Sequence, residues 1–365
     1  KDNLVNFTRF YGLDGKDRPR RTLLIDEKPR LLAHHTISSR DLNALVDDIR
    51  EASHRVNGRD EPYYEKTLKH INVLRQYMEA PCEDNEIIKI EPVEPGYKLP
   101  VKLLRDFTAV HDYRKSTYLK AFERIVGHGG ELQTIEGVPA ITSAYALHNK
   151  FTLFNSFVLD GTADKDPEYI SDDFYIFAPK DKPDYSNVTF HVCDTYSLSK
   201  TVLNNHGEKL IEKLGDMIKR IVSKKDSPTL VTTYKDRTQD FKDLLSEEIE
   251  SGKIIIKHFD GGRGSNAYVG ADNAIYIGAL AKSSTYYTTA TQAVIGDRIS
   301  DEINNESTLT KSGIYFKDNF VNEYRQLDMA VNMIQETNRL RASKKTQPVN
   351  IYLFSKDAEM VKHIT

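Results

Sequence analysis

Residues 23–29 read LLIDEKP, in which an apolar run is followed directly by two adjacent acidic residues, Asp26 and Glu27. The run predicts a buried β-strand over Thr22–Ile25. Phosphoryl transfer needs a carboxylate that holds magnesium and a group that orients the attacking water. An acidic pair at a strand end can supply both, with Asp26 facing the metal and Glu27 the water. The same pair is also typical of a solvated turn or of a helix start.

The composition is that of a globular protein without an extreme charge. The chain has 365 residues, 39% of them hydrophobic, and a formal net charge of −3, which leaves room for two or three domains and disfavours a wholly basic nucleic-acid-coating protein. The two cysteines, Cys82 and Cys193, match no metal-binding spacing. The sequence contains neither an apolar run of membrane-spanning length nor the apolar core of a signal peptide. We therefore expect a soluble, intracellular, cytoplasmic protein.

Helical periodicity dominates the part of the chain that follows the acidic pair. Apolar residues recur at helical spacing over residues 39–55, 62–80 and 99–126, with a short strand possible at Ile87–Ile90. We interpret residues 38–127 as a helical insertion.

Beyond the insertion, the pattern changes to strands that alternate with helices. Strands are predicted at Phe151–Leu159 and Asp173–Ala178, and the polar residues 180–187 are the best candidate for a domain boundary. Five further strands are predicted at Val188–Val192, Thr229–Tyr234, Lys253–His258, Asn273–Ile277 and Val349–Phe354. Helices are predicted at about 205–224, 236–250, 285–304 and 317–341. This alternation predicts a parallel sheet with helices on both faces, and ligands bind at the carboxyl ends of such strands.

Three more segments carry candidate functional groups. LDGTA, residues 159–163, is a tight turn after a strand that presents the Thr162 hydroxyl. In residues 258–266, HFDGGRGSN, glycines permit close backbone approach to a ligand, and Arg263, Ser265 and Asn266 offer hydrogen-bond donors. At 335–341, QETNRLR ends a predicted helix with two arginines that could reach a γ-phosphate. Taken singly, these segments could equally be an ordinary turn, a surface loop and a solvated helix end.

In their order and spacing, these segments resemble superfamily 2 helicases and translocases, in which two RecA-like domains clamp ATP and move along nucleic acid. LLIDEKP resembles motif II (the Walker B element), LDGTA motif III, residues 227–245 motif IV, residues 261–268 motif V, and residues 335–341 motif VI. The resemblance covers about 1–37 and 150–365 and leaves the insertion unassigned.

The resemblance implies a role for each matched residue. Asp26 would bind Mg²⁺ through water, Glu27 would activate the hydrolytic water, and Thr162 would couple the two domains. Arg263, Gly264, Ser265 and Asn266 would lie between the nucleotide and the nucleic-acid strand. Gln335 and Arg339 would approach the triphosphate of ATP, with Arg339 or Arg341 as the arginine finger.

Two features of the sequence depart from the family pattern. Motif VI usually has a glycine where this chain has Asn338. The sequence also contains no G-x-x-x-x-G-K-[ST] segment, the Walker A loop that holds phosphates and supplies a hydroxyl to magnesium. We therefore expect the rear portion of such a motor, with little or no ATPase activity in this form.

The resulting prediction is an α/β fold with RecA-like parallel sheets flanked by helices. Residues 1–37 and 128–180 would form a partial first RecA-like domain, 38–127 the helical insertion, and 187–365 a complete second domain. The expected ligands are ATP and Mg²⁺. The expected partner is nucleic acid, with DNA preferred over RNA because the spelling of motif II is not that of DEAD-box RNA helicases. The insertion could bind a protein partner.

Two rival interpretations remain open from the sequence. The chain could be a non-catalytic nucleic-acid- or protein-binding module on a degenerate helicase fold, or an unrelated nucleotide-binding α/β protein in which Arg339 points away from the acidic strand end. Two features also have alternative readings. His34 and His35 could be a structural pair rather than metal ligands, and Tyr286 and Tyr287 could pack in a core or stack on bases.

Overall fold

A computed structural model gives the structure of the protein. It describes residues 9–11, 17–19, 22–80, 86–135, 137–147, 154–170, 174–177, 184–195, 198–205, 207–261, 267–295, 306–310 and 313–364.

Residues 38–127, predicted as a helical insertion, contain four α-helices in their described part, packed around one apolar core. Their bounds are α1 Ser39–Asn57, α2 Pro62–Glu79, α3 Val101–Val110 and α4 Tyr113–His128. α1 begins with a capping box, in which the Ser38 hydroxyl accepts from the Asp41 N–H and the Asp41 carboxylate accepts from the Ser38 N–H. The single helix predicted over 99–126 is wrong, because the Asp112 side chain caps a new helix by accepting from the Lys115 N–H.

The described strands of the first half form three sheets. A small antiparallel pair joins β1 Arg9–Tyr11 to β2 Asp17–Pro19, and a parallel pair joins β3 Thr22–Asp26 to β8 Asn155–Leu159. The third sheet is antiparallel, in the order β4-β7-β6-β5, with bounds β4 Leu32–Ser38, β5 Ile88–Ile90, β6 Gly130–Ile135 and β7 Val138–Ala146.

The antiparallel sheet connects the insertion to the second half of the chain. Ile37, Leu132 and Ile141 lie in the core of the insertion helices, whereas Leu32 packs into a cluster with helix α9 Ser284–Ile295. Of these strands, the sequence predicted only the short strand β5. The predicted domain boundaries divide this sheet between the first domain and the insertion, and the boundaries themselves stay a prediction.

The burial predicted for the strand at Thr22–Ile25, which is β3, is wrong. On the face shared by β3 and β8, Leu24, Phe157 and Leu159 are 70%, 55% and 63% exposed. Parallel strands are normally covered on both faces, and here β8 is the only described strand that pairs with β3. The strand predicted at 173–178 is also wrong for its described part, since residues 174–177 form no strand.

The second α/β unit confirms the predicted fold class. All five predicted strands form one parallel sheet in the order β11-β10-β12-β15-β9. Their bounds are β9 Val188–Cys193, β10 Thr229–Thr233, β11 Ile254–His258, β12 Asn273–Ile277 and β15 Val349–Phe354. The remaining elements are α5 Lys200–Asn205, α6 Gly207–Val222, α7 Thr238–Leu244, α8 Ser246–Glu250, the hairpin β13 Ser307–Thr310 and β14 Gly313–Phe316, and α10 Asn319–Asn338.

Alternating side chains of the central strand enter two cores. Tyr276 faces a core that includes Met329 and Met333 of α10. Ile275 faces a core that includes Ile218 of α6 and Phe241 of α7. Helices therefore cover both faces of the sheet, as a parallel sheet requires. In the described part of the chain, every helix is too short or too polar to cross a bilayer.

Gly129 is a position where the fold requires glycine. Its φ is +71°, and a Cβ there would clash with the backbone carbonyl oxygen of Ile90. We expect Gly129→Ala to lower the free energy of unfolding by roughly 3 kcal/mol or more. Gly58 is a matched control, because its φ is also +71° but no atom lies within 4 Å of the added Cβ. Gly58→Ala should cost about 1 kcal/mol, and equal urea midpoints for the two variants would contradict this account.

Glu131 should make the contact between the antiparallel sheet and α9 sensitive to pH. Its carboxylate accepts a hydrogen bond from the Thr288 hydroxyl, and burial raises its pKa from 4.5 to about 7. Because the raised pKa favours the protonated carboxyl of Glu131 in the folded state, the contribution of Glu131 to the stability of the fold is complete below pH 4.5. This contribution is lost as the pH rises through about 7. Glu131→Gln should therefore stabilise the fold relative to wild type at pH 8, by on the order of 2 kcal/mol, and much less at pH 4.5.

Urea unfolding at both pH values measures this difference. Glu65→Gln, on the exposed face of α2, serves as the control and should follow wild type. A Glu131→Gln variant whose stability relative to wild type does not change with pH would show that Glu131 does not titrate in this range.

Candidate functional site

A cleft of about 720 Å³ lies between the carboxyl ends of β3 and β8 and the C-terminal half of α10. Residues from three of the predicted motifs line it, namely Glu27, Gly161, Thr162, Gln335, Arg339 and Arg341. The acidic strand end and the arginines, more than 300 positions apart in the sequence, therefore share one cleft.

The backbone at the end of β3 turns sharply at Glu27. Glu27 has a φ of +67°, and its N–H donates to the carbonyl oxygen of Leu159 at 3.1 Å. A non-glycine residue in this left-handed region is uncommon, so the contact with β8 fixes the direction in which the Glu27 carboxylate leaves the strand. Asp26 is exposed at the last position of β3 and is not a lining residue.

Thr162 connects the strand ends to α10. It is 3% exposed, and both its N–H and its hydroxyl donate to Asp160 Oδ1, at 2.9 and 2.8 Å. The Gln335 Nε2 atom lies 3.5 Å from the same hydroxyl oxygen, which is near the outer limit of a hydrogen bond. The residue expected to couple the domains and the residue expected to approach the triphosphate are thus in direct contact.

The buried carboxylate of Glu336 organises the end of α10. It pairs with the Lys257 ammonium on β11, and its Oε2 lies 3.4 Å from Arg339 Nε. Its Oε1 accepts from the Asp260 N–H at 3.3 Å. Burial lowers the pKa of Lys257 although Glu336 opposes this effect. Glu336 therefore holds Arg339 against the end of the β-strand that leads into the glycine-rich segment.

The glycine-rich segment itself lies outside the described residues. Arg263, Gly264, Ser265 and Asn266 all belong to it, so their expected roles stay predictions. The described residues just before it contact α10 through Asp260, whose φ is +59°.

Two carboxylates that the sequence analysis did not single out hold Lys28. The Lys28 Nζ lies 2.6 Å from Asp166 Oδ2 and 3.1 Å from Glu168 Oε1. Burial raises the pKa of both carboxyls, while Lys28 opposes the rise. For Lys28, burial acts to lower the pKa, but the two acids outweigh it and raise the pKa above its ordinary value. The acidic stretch DKDPE directly after LDGTA was the available sequence signal.

A second charged pair lies on another part of the cleft wall. The Lys282 Nζ is 2.7 Å from Asp328 Oδ1 and donates to the Tyr286 hydroxyl at 3.0 Å. Asp328 is the main reason that the pKa of Lys282 is raised despite burial. Tyr286 stacks on His34, which also lines the cleft. Burial, aided by the charges of Lys282 and Arg30, lowers the pKa of His34 to about 3, so the imidazole is neutral at pH 7.

The magnesium ligand expected at Asp26 also stays a prediction. Within the described residues, one group of side chains has ligand atoms close enough to share a metal, namely Asp48, Glu51 and His111 of the insertion. The Lys115 Nζ already lies 2.5 Å from Asp48 Oδ1, and none of the three lines the cleft. Magnesium commonly takes only one or two protein carboxylates and completes its shell with water and substrate phosphates. Of the two strand-end acids, Glu27 lines the cleft and Asp26 does not, so Glu27 is the one whose position fits this pattern.

The Glu27 carboxylate at the strand end and the guanidinium groups of Arg339 and Arg341 at the end of α10 line the same cleft. A carboxylate repels a phosphate unless a cation lies between them, so the arginines are the direct anion-binding groups. Arg339 and Arg341 can supply donors in the fixed fork that suits phosphate oxygens.

No protein-family model matches the chain, and no curated protein matches it. Among solved structures, the chain is similar to that of Xpd4 from S. tokodaii, with 13% sequence identity and a TM-score of 0.48 over 89% of this chain and 68% of that chain. A similarity at this level assigns neither a family nor an activity to the chain.

The Glu336–Lys257 pair can be tested by removing its acidic member. Both residues are buried, at 3% and 4% exposure, so Glu336→Gln leaves a buried ammonium group without its counter-charge. We expect a loss of roughly 3 kcal/mol or more in the free energy of unfolding in urea at pH 7. The double variant Lys257→Met with Glu336→Leu should recover part of it, because apolar replacements of similar size remove this pair of charges while Arg339 and the Asp260 N–H still lose their contacts with Glu336. A neutral single variant would contradict the role assigned to the pair.

Proposed function

We propose that the chain is the rear portion of an ATP-dependent nucleic-acid helicase or translocase, and that its cleft receives the triphosphate. One observation supports this most strongly. Glu27, Thr162, Gln335 and Arg339, each expected to act on ATP or to couple its hydrolysis to movement, come together around a single cleft. Residues brought together from such distant parts of the sequence form a site only through the tertiary fold.

The mechanism follows from the two sides of the cleft. The magnesium ion that accompanies ATP supplies charge neutralisation of the phosphates. On one side, Glu27 accepts a proton from the attacking water. On the other, Arg339 and Arg341 neutralise negative charge that develops on the γ-phosphoryl oxygens, a contribution that can reach about 10³–10⁵ in rate.

Coupling in this proposal runs through the contact between Thr162 and Gln335. A bound phosphate would attract Arg339 and so shift the end of α10. Because Gln335 on α10 already contacts Thr162, this shift would be passed to the turn after β8. Closure and reopening of the cleft would then change the grip on a nucleic-acid strand, for which we prefer DNA over RNA.

The proposal includes that this chain alone hydrolyses little or no ATP. The sequence has no G-x-x-x-x-G-K-[ST] loop, so in the complete motor another segment holds the β- and γ-phosphates. Hydrolysis by the purified chain at ordinary helicase rates, stimulated by DNA, would contradict this part.

Binding of inorganic triphosphate and of Mg-ATP tests the cleft itself. We expect Arg339→Gln to weaken both about tenfold or more in equilibrium dialysis, since hydrogen bonds between charged groups contribute roughly 1.5–3 kcal/mol. Arg114→Gln, an exposed arginine on α4, is the matched control and should bind like wild type. Equal binding by wild type and both variants would remove the cleft as the phosphate site.

A second candidate is a non-catalytic nucleic-acid- or protein-binding module. The observation in its favour is that Lys28, Lys282 and Arg339 already lie against carboxylates of the same chain, so cationic groups of the cleft are balanced without a ligand. The reading frame upstream of Lys1 separates the two candidates. A strand followed by G-x-x-x-x-G-K-[ST] in that frame favours the motor, and a native start codon near Lys1 favours the module.

A further inference from the structure

Two aromatic rings from different elements stack on the wall of the cleft. His34 lies on β4 and Tyr286 on α9, and their ring centroids are 3.9 Å apart with 16° between the ring planes. Both residues line the cleft. Tyr287, the next residue along α9, is 1% exposed and packs in a core. Only the first tyrosine of the pair is therefore placed to meet a ligand.

The imidazole of His34 is held by stacking rather than by hydrogen bonds. Among the described residues, neither of its ring nitrogens has a hydrogen-bond partner, which is an unusual situation for enclosed polar atoms. Because the ring is neutral at pH 7, one nitrogen is a donor and the other an acceptor.

The position of Tyr286 is fixed more firmly. Its hydroxyl accepts from Lys282, whose Nζ also lies 4.2 Å from the ring centroid and is anchored by Asp328. The tyrosine therefore supports His34 from one side without itself being free to turn. The pair presents a π surface next to a cationic group.

We propose that the His34–Tyr286 pair is a platform for a nucleobase. Bases stack on aromatic side chains with little regard to sequence, and each such contact is worth roughly 1–3 kcal/mol. A cleft of about 720 Å³ has room for a base beside the phosphate-facing residues. The platform rests on the proposed function, because that function supplies the two sources of a base: the bound nucleotide and a nucleic-acid strand.

The test compares probes that differ only in their bases. For the strand, a fluorescein-labelled 12-nucleotide oligothymidine is compared with an abasic oligonucleotide of the same length by fluorescence anisotropy. For the nucleotide, Mg-ATP is compared with the magnesium complex of ribose 5′-triphosphate, which lacks only the base, by equilibrium dialysis. In each arm the base factor is defined as the dissociation constant of the baseless probe divided by that of the base-containing probe.

We expect His34→Ala and Tyr286→Ala to lower the base factor about tenfold in at least one arm and to leave binding of the baseless probe unchanged. A drop in the strand arm identifies a strand base, and a drop in the nucleotide arm identifies the base of ATP. Tyr286→Phe keeps the ring and should keep the base factor. His35→Ala is the matched control, because His35 is the next residue on β4 but stacks on Tyr145 and does not line the cleft.

Two outcomes would overturn the platform. One is a wild-type base factor near one in both arms, and the other is the same base factor in His34→Ala, His35→Ala and wild type, all folded by circular dichroism. The second outcome would leave the stack as a structural contact between β4 and α9. Neither depends on the arginine test, since Arg339→Gln changes triphosphate binding, which involves no base. The platform and the phosphate site can therefore fail separately.

Discussion

The contact between the ends of β3 and β8 and the end of α10 is the constraint on which the functional site depends. The two-stranded sheet β3–β8 has no other described strand beside it. Its position relative to the five-stranded parallel sheet is therefore set by side-chain contacts and not by backbone hydrogen bonds between strands. Thr162 meets Gln335 there, and Lys165 donates to the carbonyl oxygen of His363 at 2.8 Å. Both contacts join the turn after β8 to the C-terminal part of the chain.

Charge inside the cleft is arranged in pairs that connect separate elements. Lys28 at the end of β3 holds two acids that follow β8, while Lys282 after β12 holds Asp328 of α10. Buried or half-buried pairs of this kind add little net stability but penalise arrangements in which one partner is lost. They therefore select one relative placement of the elements around the cleft. A triphosphate entering it would compete for some of these cations, which gives ligand binding a direct means of altering that placement.

The five-stranded parallel sheet could be predicted from the sequence, because the residue patterns that indicate its strands and helices are local. TLVTT and NAIYI are short runs rich in β-branched and other strand-favouring residues, and helices of clear periodicity follow most of the strands. The antiparallel sheet could not, since LAHHTIS in β4 has two histidines in its middle and its partner β7 lies 106 residues away at the Thr36–Thr142 contact. The strand predicted at residues 173–178, DFYIFA, fails in the opposite way, because the sequence predicts a strand that the described part does not form. Its residues favour strands, but Tyr175 and Phe177 are exposed and residues 174–177 form no strand.

For the site, the order of the motifs placed Glu27, Thr162, Gln335 and Arg339 in one group, and the fold brings them together. The partners of Lys28 and Lys257 were not predictable, because an ion pair between distant segments leaves no periodic trace in a single sequence. The roles of His34 and Tyr286 could not be decided from the sequence either. Each had a structural and a functional interpretation from the sequence, and only their placement on the cleft wall distinguishes Tyr286 from its neighbour Tyr287.

The backbone gives an independent argument that the shape of this region matters. Among the described residues, three that are not glycine have a positive φ: Glu27, Asp260 and Arg341. They lie just after β3, β11 and α10, in or beside three of the four segments singled out from the sequence. Such conformations cost on the order of 1–3 kcal/mol each and persist where the surrounding contacts fix them. Aspartate tolerates this region better than glutamate or arginine, so the strain is greatest at the acid and the arginine that line the cleft. Relaxing either backbone would redirect a charged side chain away from the space they share.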